Sequence, residues 1–416
     1  MVDMLRSENY TSDYIEELRR KTGADPSILE RTVFAFGLLE TLVRVGMPLV
    51  FKGGTSLILL LERPRRLSTD IDIIVDGDID VDSYIERAGH VFPFSGVEEN
   101  IRKGANKIEK RHFKFHFTSP RTGKEITVLL DVVFADNPYP DVVNRPIRNS
   151  LLLSSGEDLS VNLPDKNSIL ADKLTAFAPH TTGIPFGVGK ELEIIKQLFD
   201  CWTLLQEMDD FRKVASVYDT VSRVEAEYRG LDIEPSDCLL DTIDACICII
   251  GRGSIKPEEY ISYSRGINAI QGHVFDGRVN GENAAVLASE VMFLASSILC
   301  QKTEYIRITD AEEYRKVQLN LKGMKRISSV RNTLPFAYAY IIRSFQLLNG
   351  IGKYNESILS SYEVMKTALL EGRNDQYSHV PTARGYGMTS LMFSIPVTYL
   401  TALSNPSPKP EWGAVP

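Results

Sequence analysis

The stretch Lys52-Gly-Gly-Thr-Ser56, followed by Arg66-Leu-Ser-Thr-Asp-Ile-Asp72, decides the fold and the candidate site of this chain. The apolar residues 48–51 before it predict a short strand, and the residues from Thr55 onward predict a helix. A glycine-rich turn at the N-terminus of a helix offers backbone N–H groups and the positive end of the helix dipole to a phosphate. The pattern therefore predicts a phosphate-binding turn.

Acidic residues are expected to meet near this turn. Residues 67–75 alternate like a strand, which places Asp70 and Asp72 on one face, where both carboxylates can hold one metal ion. Asp131 is a third acid in the otherwise apolar strand predicted over residues 125–134, a costly position unless it is paired or metal-bound. A Gly-Gly turn alone is usually only a turn, and an Asp-x-Asp pair is usually a solvated face. Their combination favours a site for Mg²⁺ or Mn²⁺ and a nucleoside triphosphate.

Further along the chain, strand patterns give way to helical ones. Residues 26–46 predict an amphipathic helix behind the cap Asp25-Pro26, and residues 111–117 predict another strand. Helices are predicted over 166–178, over 190–207, and repeatedly thereafter. The expected fold class is α+β, with a mixed-sheet domain flanked by helices over residues 1–205. An all-α helical bundle over 206–403 and a flexible tail over 404–416 follow.

Composition narrows the class of protein. The 416 residues are 43% hydrophobic and 25% charged, which is ordinary for a globular chain, and the net charge of −8 argues against general coating of nucleic acid. The five cysteines have no regular spacing, so neither a disulfide framework nor a zinc site is expected. The N-terminus lacks the apolar segment of a signal peptide, and the apolar residues 391–403 are too short to span a bilayer. A cytoplasmic protein without a membrane segment is expected.

The two motifs of the opening stretch resemble the first motif of the AbiEii/AbiGii toxin family, a branch of the DNA polymerase β-like nucleotidyltransferases. The similarity continues at Ile169-Leu-Ala-Asp-Lys-Leu-Thr-Ala-Phe177 and Glu193-Ile-Ile-Lys-Gln-Leu-Phe-Asp200, in the order that the family has. The resemblance covers roughly residues 30–205. It implies a nucleotidyltransferase domain of a type IV toxin–antitoxin system.

The resemblance also implies a role for each matching residue. Asp70 and Asp72 would be metal ligands, and Asp131 would complete the metal site or take a proton from the attacking hydroxyl. Lys173 would meet the charge of the triphosphate, and Asp200 would position Lys173 or the substrate. The nucleotide-binding set comprises Lys52, Gly53, Gly54, Thr55, Ser56, Arg66, Ser68 and Lys173.

Three further features have alternative interpretations. His112 and His116 alternate with phenylalanines in a predicted strand, which favours a surface position or a basic strip over a metal site. The glycine-punctuated loop 179–189, with His180, Thr181 and Thr182, is a candidate lid over the nucleotide. A basic run is usually a solvated helix face, but here it is also the best candidate for contacts with RNA phosphates. It consists of Arg315, Lys316, Lys322, Lys325, Arg326 and Arg331.

The sequence thus predicts an enzyme that transfers NMP from an NTP to an acceptor hydroxyl with release of pyrophosphate. The expected acceptor is an RNA 3′ end, with tRNA as the first candidate, or a protein hydroxyl, and the expected protein partner is a cognate antitoxin. Two alternatives stay open. One is a catalytically silent binding or scaffold module of a toxin–antitoxin or phage-defence system, and the other is a nucleotidyltransferase that modifies a small molecule such as an antibiotic.

Overall fold

A computed structural model of the chain describes residues 4–100, 110–275, 278–317 and 325–349. It shows a mixed α/β architecture in which one sheet carries helices on both faces. The predicted tail over residues 404–416 lies outside the described residues, as do residues 350–403 of the predicted bundle.

Seven strands form one mixed sheet in the order β3-β4-β5-β2-β1-β7-β6. The central strand β2 runs parallel to β5 and antiparallel to β1, and β1 runs parallel to β7. The strands are β1 (Val50–Lys52), β2 (Ile71–Val75), β3 (Gly96–Glu99), β4 (Lys110–Thr118), β5 (Glu125–Phe134), β6 (Val142–Pro146) and β7 (Ser160–Pro164).

Helices precede and interrupt the sheet in the first half of the chain and dominate the second half. Within the described residues they are α1 (Ser12–Thr22), α2 (Pro26–Arg44), α3 (Gly53–Leu60), α4 (Val81–Gly89), α5 (Lys166–Ala176), α6 (Glu191–Glu207), α7 (Phe211–Tyr228), α8 (Pro235–Gly251), α9 (Pro257–Ala269), α10 (Gly281–Leu299), α11 (Lys325–Thr333) and α12 (Pro335–Asn349).

One apolar core lies between the sheet and the N-terminal helices. The side chain of Asp25 caps α2 by accepting hydrogen bonds from the backbone N–H groups of Ser27 and Ile28, and Pro26 occupies the first turn. The helix then buries Phe34 and Phe36, and the ring of Phe34 stacks on Phe117 of β4 at 3.6 Å between centroids. The predicted helix over residues 26–46 is confirmed.

A second core lies among the helices. It joins buried residues of α5 and α6 to those of α8 and α10 and also reaches the sheet through Ile74 of β2. The boundary predicted at residue 205 stays a prediction; α6, which ends near it, packs in the same core as the later helices. By length and composition α10 could cross a membrane, but 67% of its apolar window is buried against other helices, as in the core helix of a folded domain.

The strand predicted over residues 67–75 is shorter in the structure. It begins at Ile71, because the preceding residues pair with a distant loop instead of a strand. Leu67 donates its N–H to the carbonyl of His273 at 2.6 Å, and Arg66 forms an isolated bridge with Val274. Asp70 therefore lies immediately before β2 rather than within it.

Candidate active site

Four side chains from four neighbouring strands form a row across the sheet. Lys52 of β1 pairs with Asp72 of β2, Asp72 pairs with Asp131 of β5, and Asp131 pairs with His112 of β4. Residues opposite each other on adjacent strands project from the same face of a sheet. The strand register therefore brings together Asp72 and Asp131, two of the three predicted acids.

The glycine turn lies directly against this row. Gly53 has φ +81°, and a Cβ atom at this position would lie 2.0 Å from Oδ2 of Asp72. A Cβ atom on Gly54 would lie 2.7 Å from a guanidinium nitrogen of Arg66 and 2.8 Å from Oγ of Ser68. Only glycine fits at Gly53, for both its conformation and its space. The turn thus starts α3 beside the acids.

The hydroxyl groups of Thr55 and Ser56 hold this turn together. Both residues are fully buried; Oγ1 of Thr55 donates to the backbone carbonyl of Asp70 at 2.5 Å, and Oγ of Ser56 donates to the carbonyl of Gly53 at 2.8 Å. Because both hydroxyls are already bonded to backbone, they fix the turn from behind. The backbone N–H groups of the first turn of α3, which have no partner within the helix, are then the donors left at this turn.

The acids repel one another. Burial and the carboxylates of Asp131 and Asp70 together raise the pKa of Asp72 to about 7, although Lys173 and Lys52 oppose the shift. Burial also raises the pKa of Asp70, where Asp131 adds to the effect and Lys196 opposes it. Carboxylate oxygens are the ligands that Mg²⁺ or Mn²⁺ prefers. The residues present therefore fit a divalent cation.

Two basic residues of the predicted set converge on Asp200. Arg66 donates to both carboxylate oxygens of Asp200 at 2.6 Å, and Nζ of Lys173 lies 3.1 Å from Oδ2. The three side chains are at most 7% exposed. Although burial raises the pKa of Asp200, Arg66 and Lys173 lower it below its usual value. Arg66 is therefore engaged with Asp200 rather than directed to a nucleotide, and Asp200 also pairs with Lys173.

A neighbouring ion pair was not foreseen from the sequence. Nζ of Lys52 lies 3.2 Å from Oδ1 of Asp172, and the hydroxyl of Tyr139 donates to the same oxygen at 2.9 Å. Burial lowers the pKa of Lys52, but Asp172 and Tyr139 raise it well above its usual value. Lys52 is therefore a fixed cation beside Asp72. The position of Asp172, directly before Lys173, was the available signal.

His112 is the second residue that sequence reasoning missed. Its Nδ1 lies 2.6 Å from Oδ1 of Asp131, so it is neither a bland surface residue nor part of a basic strip. The alternation of residues 111–117 correctly predicted a strand, β4. The partner of His112 depends on the register between β4 and β5, which no local pattern reveals.

The candidate lid over residues 179–189 bonds to the helices. The N–H of His180 and the hydroxyl of Thr181 both donate to Oδ2 of Asp241 in α8, and buried Thr182 donates to the carbonyl of Thr175. The expected lid role for these three residues is not supported, because their donors are already used by protein acceptors.

Beneath this loop lies a group with metal-like spacing. Ligand atoms of His180, Asp244 and Glu259 lie within 4.8 Å of one another. The ammonium of Lys256 forms ion pairs with both carboxylates of this group. It already supplies the positive charge that a cation would bring, so the group is an ion-pair network.

The structure describes only part of the basic run in the helical half. Arg315 forms an ion pair with Glu312 at 2.9 Å, which weakens it as a phosphate ligand. Lys322 lies outside the described residues, as do the side chains of Lys325 and Arg326. The proposed contact with RNA phosphates therefore stays a prediction.

Comparison with known proteins places the chain in a family. No curated protein matches it significantly. Two crystal structures from Helicobacter pylori are similar to this chain, and each similarity covers 65% of it. JHP933 has 15% sequence identity and a TM-score of 0.37, with 93% of its own length covered. A candidate nucleotidyltransferase has 14% sequence identity and a TM-score of 0.36, with 96% of its own length covered. The model of the family described as "Nucleotidyl transferase AbiEii toxin, Type IV TA system" matches residues 38–246, half of the chain. The chain therefore belongs to the AbiEii family of nucleotidyltransferase toxins.

Proposed function

We propose that this protein is a metal-dependent nucleotidyltransferase that moves NMP from an NTP to an acceptor hydroxyl, with the 3′ end of tRNA as the acceptor. The observation that carries the proposal is the row in which Asp131, Asp72 and Lys52 lie side by side against the turn at Gly53. This arrangement sets carboxylates next to a helix N-terminus and a fixed cation. A metal-bound triphosphate needs that combination of charges.

In the proposed reaction the backbone N–H groups of Gly53 and Gly54 hold the phosphate tail, and Lys52 and Lys173 balance its charge. Asp70, Asp72 and Asp131 would hold Mg²⁺ or Mn²⁺. The bound ion would stabilise charge on the reacting and leaving oxygens.

Bond making and breaking follow the usual balance of nucleotidyl transfer. The acceptor oxygen bonds to the α-phosphorus, the bond from that phosphorus to the α–β bridging oxygen breaks, and pyrophosphate leaves. The proton of the acceptor hydroxyl passes to a base, and the carboxylate of Asp131 is the proposed one.

Two arginines that come just before Arg66 in the chain support the choice of RNA as acceptor. Arg63 is exposed and Arg65 half-buried, and Arg65 stacks over the ring of Trp202 at 5.0 Å. Neither arginine forms an ion pair within the part of the chain that the structure describes. Cations in this segment would suit the phosphates of a polynucleotide better than a small cationic antibiotic.

Incubation with each α-labelled NTP, Mg²⁺ and total tRNA tests the proposal. Wild-type protein is expected to label RNA with one preferred base, and Asp70→Ala is expected to abolish the label. Equal labelling by Asp70→Ala would refute the assigned site. Tight binding of a neighbouring gene product without any NTP binding would instead favour the silent scaffold.

A further inference from the structure

The hydrogen bond between His112 and Asp131 joins a residue without an assigned role to a candidate metal ligand. The two lie opposite each other on β4 and β5, with side chains 17% and 31% exposed. A carboxylate oxygen accepts, so Nδ1 of His112 is the donor in this bond. The bond occupies Oδ1 of Asp131 and leaves Oδ2 for other partners.

The other acids of the site are held by different means. The carboxylate of Asp72 packs against Gly53, and within the described residues no side chain or backbone group donates a hydrogen bond to it. Asp70 accepts one weak hydrogen bond, from the hydroxyl of Thr69 at 3.3 Å. Of the three acids, Asp131 depends most on its hydrogen-bond donor, because a partly exposed aspartate without a donor can rotate among several rotamers.

We infer that His112 is a positioning residue, which holds the carboxylate of Asp131 through Oδ1 and leaves Oδ2 as the oxygen that would bind the metal. The inference rests on the proposed function, in which Asp131 works at the metal site. Hydrogen bonds that orient metal-binding carboxylates typically contribute about 10–100-fold to metal affinity or activity. A loss in that range is expected when His112 is removed.

The same strand supplies a matched control. His116 lies four residues further along β4 on the same face, and its Nδ1 pairs with Glu125 at 3.1 Å, near Glu98. It therefore resembles His112 in strand, burial and partner type but contacts no acid of the site. Replacing His116 would remove a similar contribution to the stability of β4 but would leave Asp131 in place.

The experiment measures Mn²⁺ binding by electron paramagnetic resonance for wild type, His112→Ala, His112→Asn and His116→Ala, after thermal melting has confirmed folding. Asn is the rescue variant because its Nδ2 is placed to donate much as Nδ1 of His112 does. His112→Ala is expected to bind Mn²⁺ about 10-fold more weakly or worse. His112→Asn is expected to recover most of the affinity, and His116→Ala to match wild type.

Unchanged affinity in His112→Ala, or equal loss in the Ala and Asn variants, would overturn the inference. Wild-type protein that binds no Mn²⁺ would overturn it together with the proposed metal site. If Mn²⁺ binding behaves as expected but wild type transfers no nucleotide, the positioning role stands and the proposed reaction fails. Where transfer occurs, His112→Ala is expected to lower kcat while the KM for NTP stays near wild type.

Discussion

Gly53 lies so close to Asp72 that a Cβ atom at position 53 would be 2.0 Å from Oδ2 of the carboxylate. Gly53→Ala must therefore displace Asp72 or the turn itself. A displacement of about 1 Å at a reacting centre can cost roughly 100-fold in rate. We expect Gly53→Ala to lose nucleotide transfer and Mn²⁺ binding to at least that extent, measured by RNA labelling and metal titration.

Gly46→Ala is the control for this substitution. Gly46 has nearly the same backbone conformation, φ +78°, but nothing lies within 4 Å of the space that its Cβ would fill. The strain of placing alanine there should cost about 1 kcal/mol of stability and leave transfer intact. Equal loss of transfer in both variants would show that backbone strain, not the contact with Asp72, is responsible.

The buried pair of Arg66 and Asp200 predicts a large effect on stability. Asp200→Ala leaves Arg66 and Lys173 buried without their anion, which typically costs about 3–5 kcal/mol. Urea unfolding should show this loss. The exposed pair of Asp219 and Arg223 is the comparison, since Asp219→Ala should cost less than about 1 kcal/mol. A loss in Asp200→Ala no larger than in Asp219→Ala would contradict the structural role of Asp200.

Asp172 is expected to affect NTP binding through Lys52. Asp172→Ala frees the ammonium of Lys52 from its fixed position, and loss of a charged hydrogen bond of about 1.5 kcal/mol corresponds to roughly a 10-fold higher KM for NTP. Tyr139→Phe removes only the hydroxyl bond to Asp172 and should have a smaller effect. Steady-state kinetics with varied NTP measure both, and a larger effect for Tyr139→Phe would refute this order.

Asp72 should lower the stability of the metal-free protein as pH rises, and should raise the stability of the protein when Mn²⁺ binds. Its pKa, raised from 3.8 to about 7, means that the metal-free folded protein binds a proton between these values that the unfolded chain does not. The free energy of unfolding therefore falls as pH rises from about 4 to 7. In EDTA at pH 8, Asp72→Asn should melt at a higher temperature than wild type.

Addition of Mn²⁺ reverses this comparison. A ligand that binds only the folded state raises stability, by about 1.4 kcal/mol at ten times its dissociation constant. Wild type should therefore gain melting temperature with Mn²⁺, and Asp72→Asn should gain little. Equal gains in the two proteins would remove Asp72 from the metal site.

Local patterns predicted the parts of the site that lie close together in the chain. The alternation of apolar residues gave strands β4 and β5 with almost correct bounds, and the cap Asp25-Pro26 marked the start of α2. The predicted start of β2 was wrong because residues 66–67 pair with residues 273–274. Pairing between segments about 200 residues apart produces no periodic pattern in the sequence. The family resemblance, rather than spacing, supplied Lys173 and Asp200.

Partners of the site residues were harder to predict than the residues themselves. The hydrogen bond from His112 to Asp131 requires one particular register of two strands, and a slip of one residue would turn His112 to the other face. Thr55 and Ser56 carried the right chemistry for phosphate, but burial assigned their hydroxyls to the backbone. Sequence shows which groups are present, whereas packing decides which of them remain available.

Arg66 and Asp200 are 134 residues apart in the chain, and Lys173 meets them from a helix that follows the last strand of the sheet. Synthesis proceeds from the N-terminus, so a ribosome-bound chain that ends before α6 has its acids and glycine turn but no anion to hold Arg66 and Lys173. The buried ion-pair group of Arg66, Lys173 and Asp200 can therefore form only after α6 has left the ribosome and docked. If Lys173 has its proposed role, the site is completed last, when synthesis of this domain has passed α6.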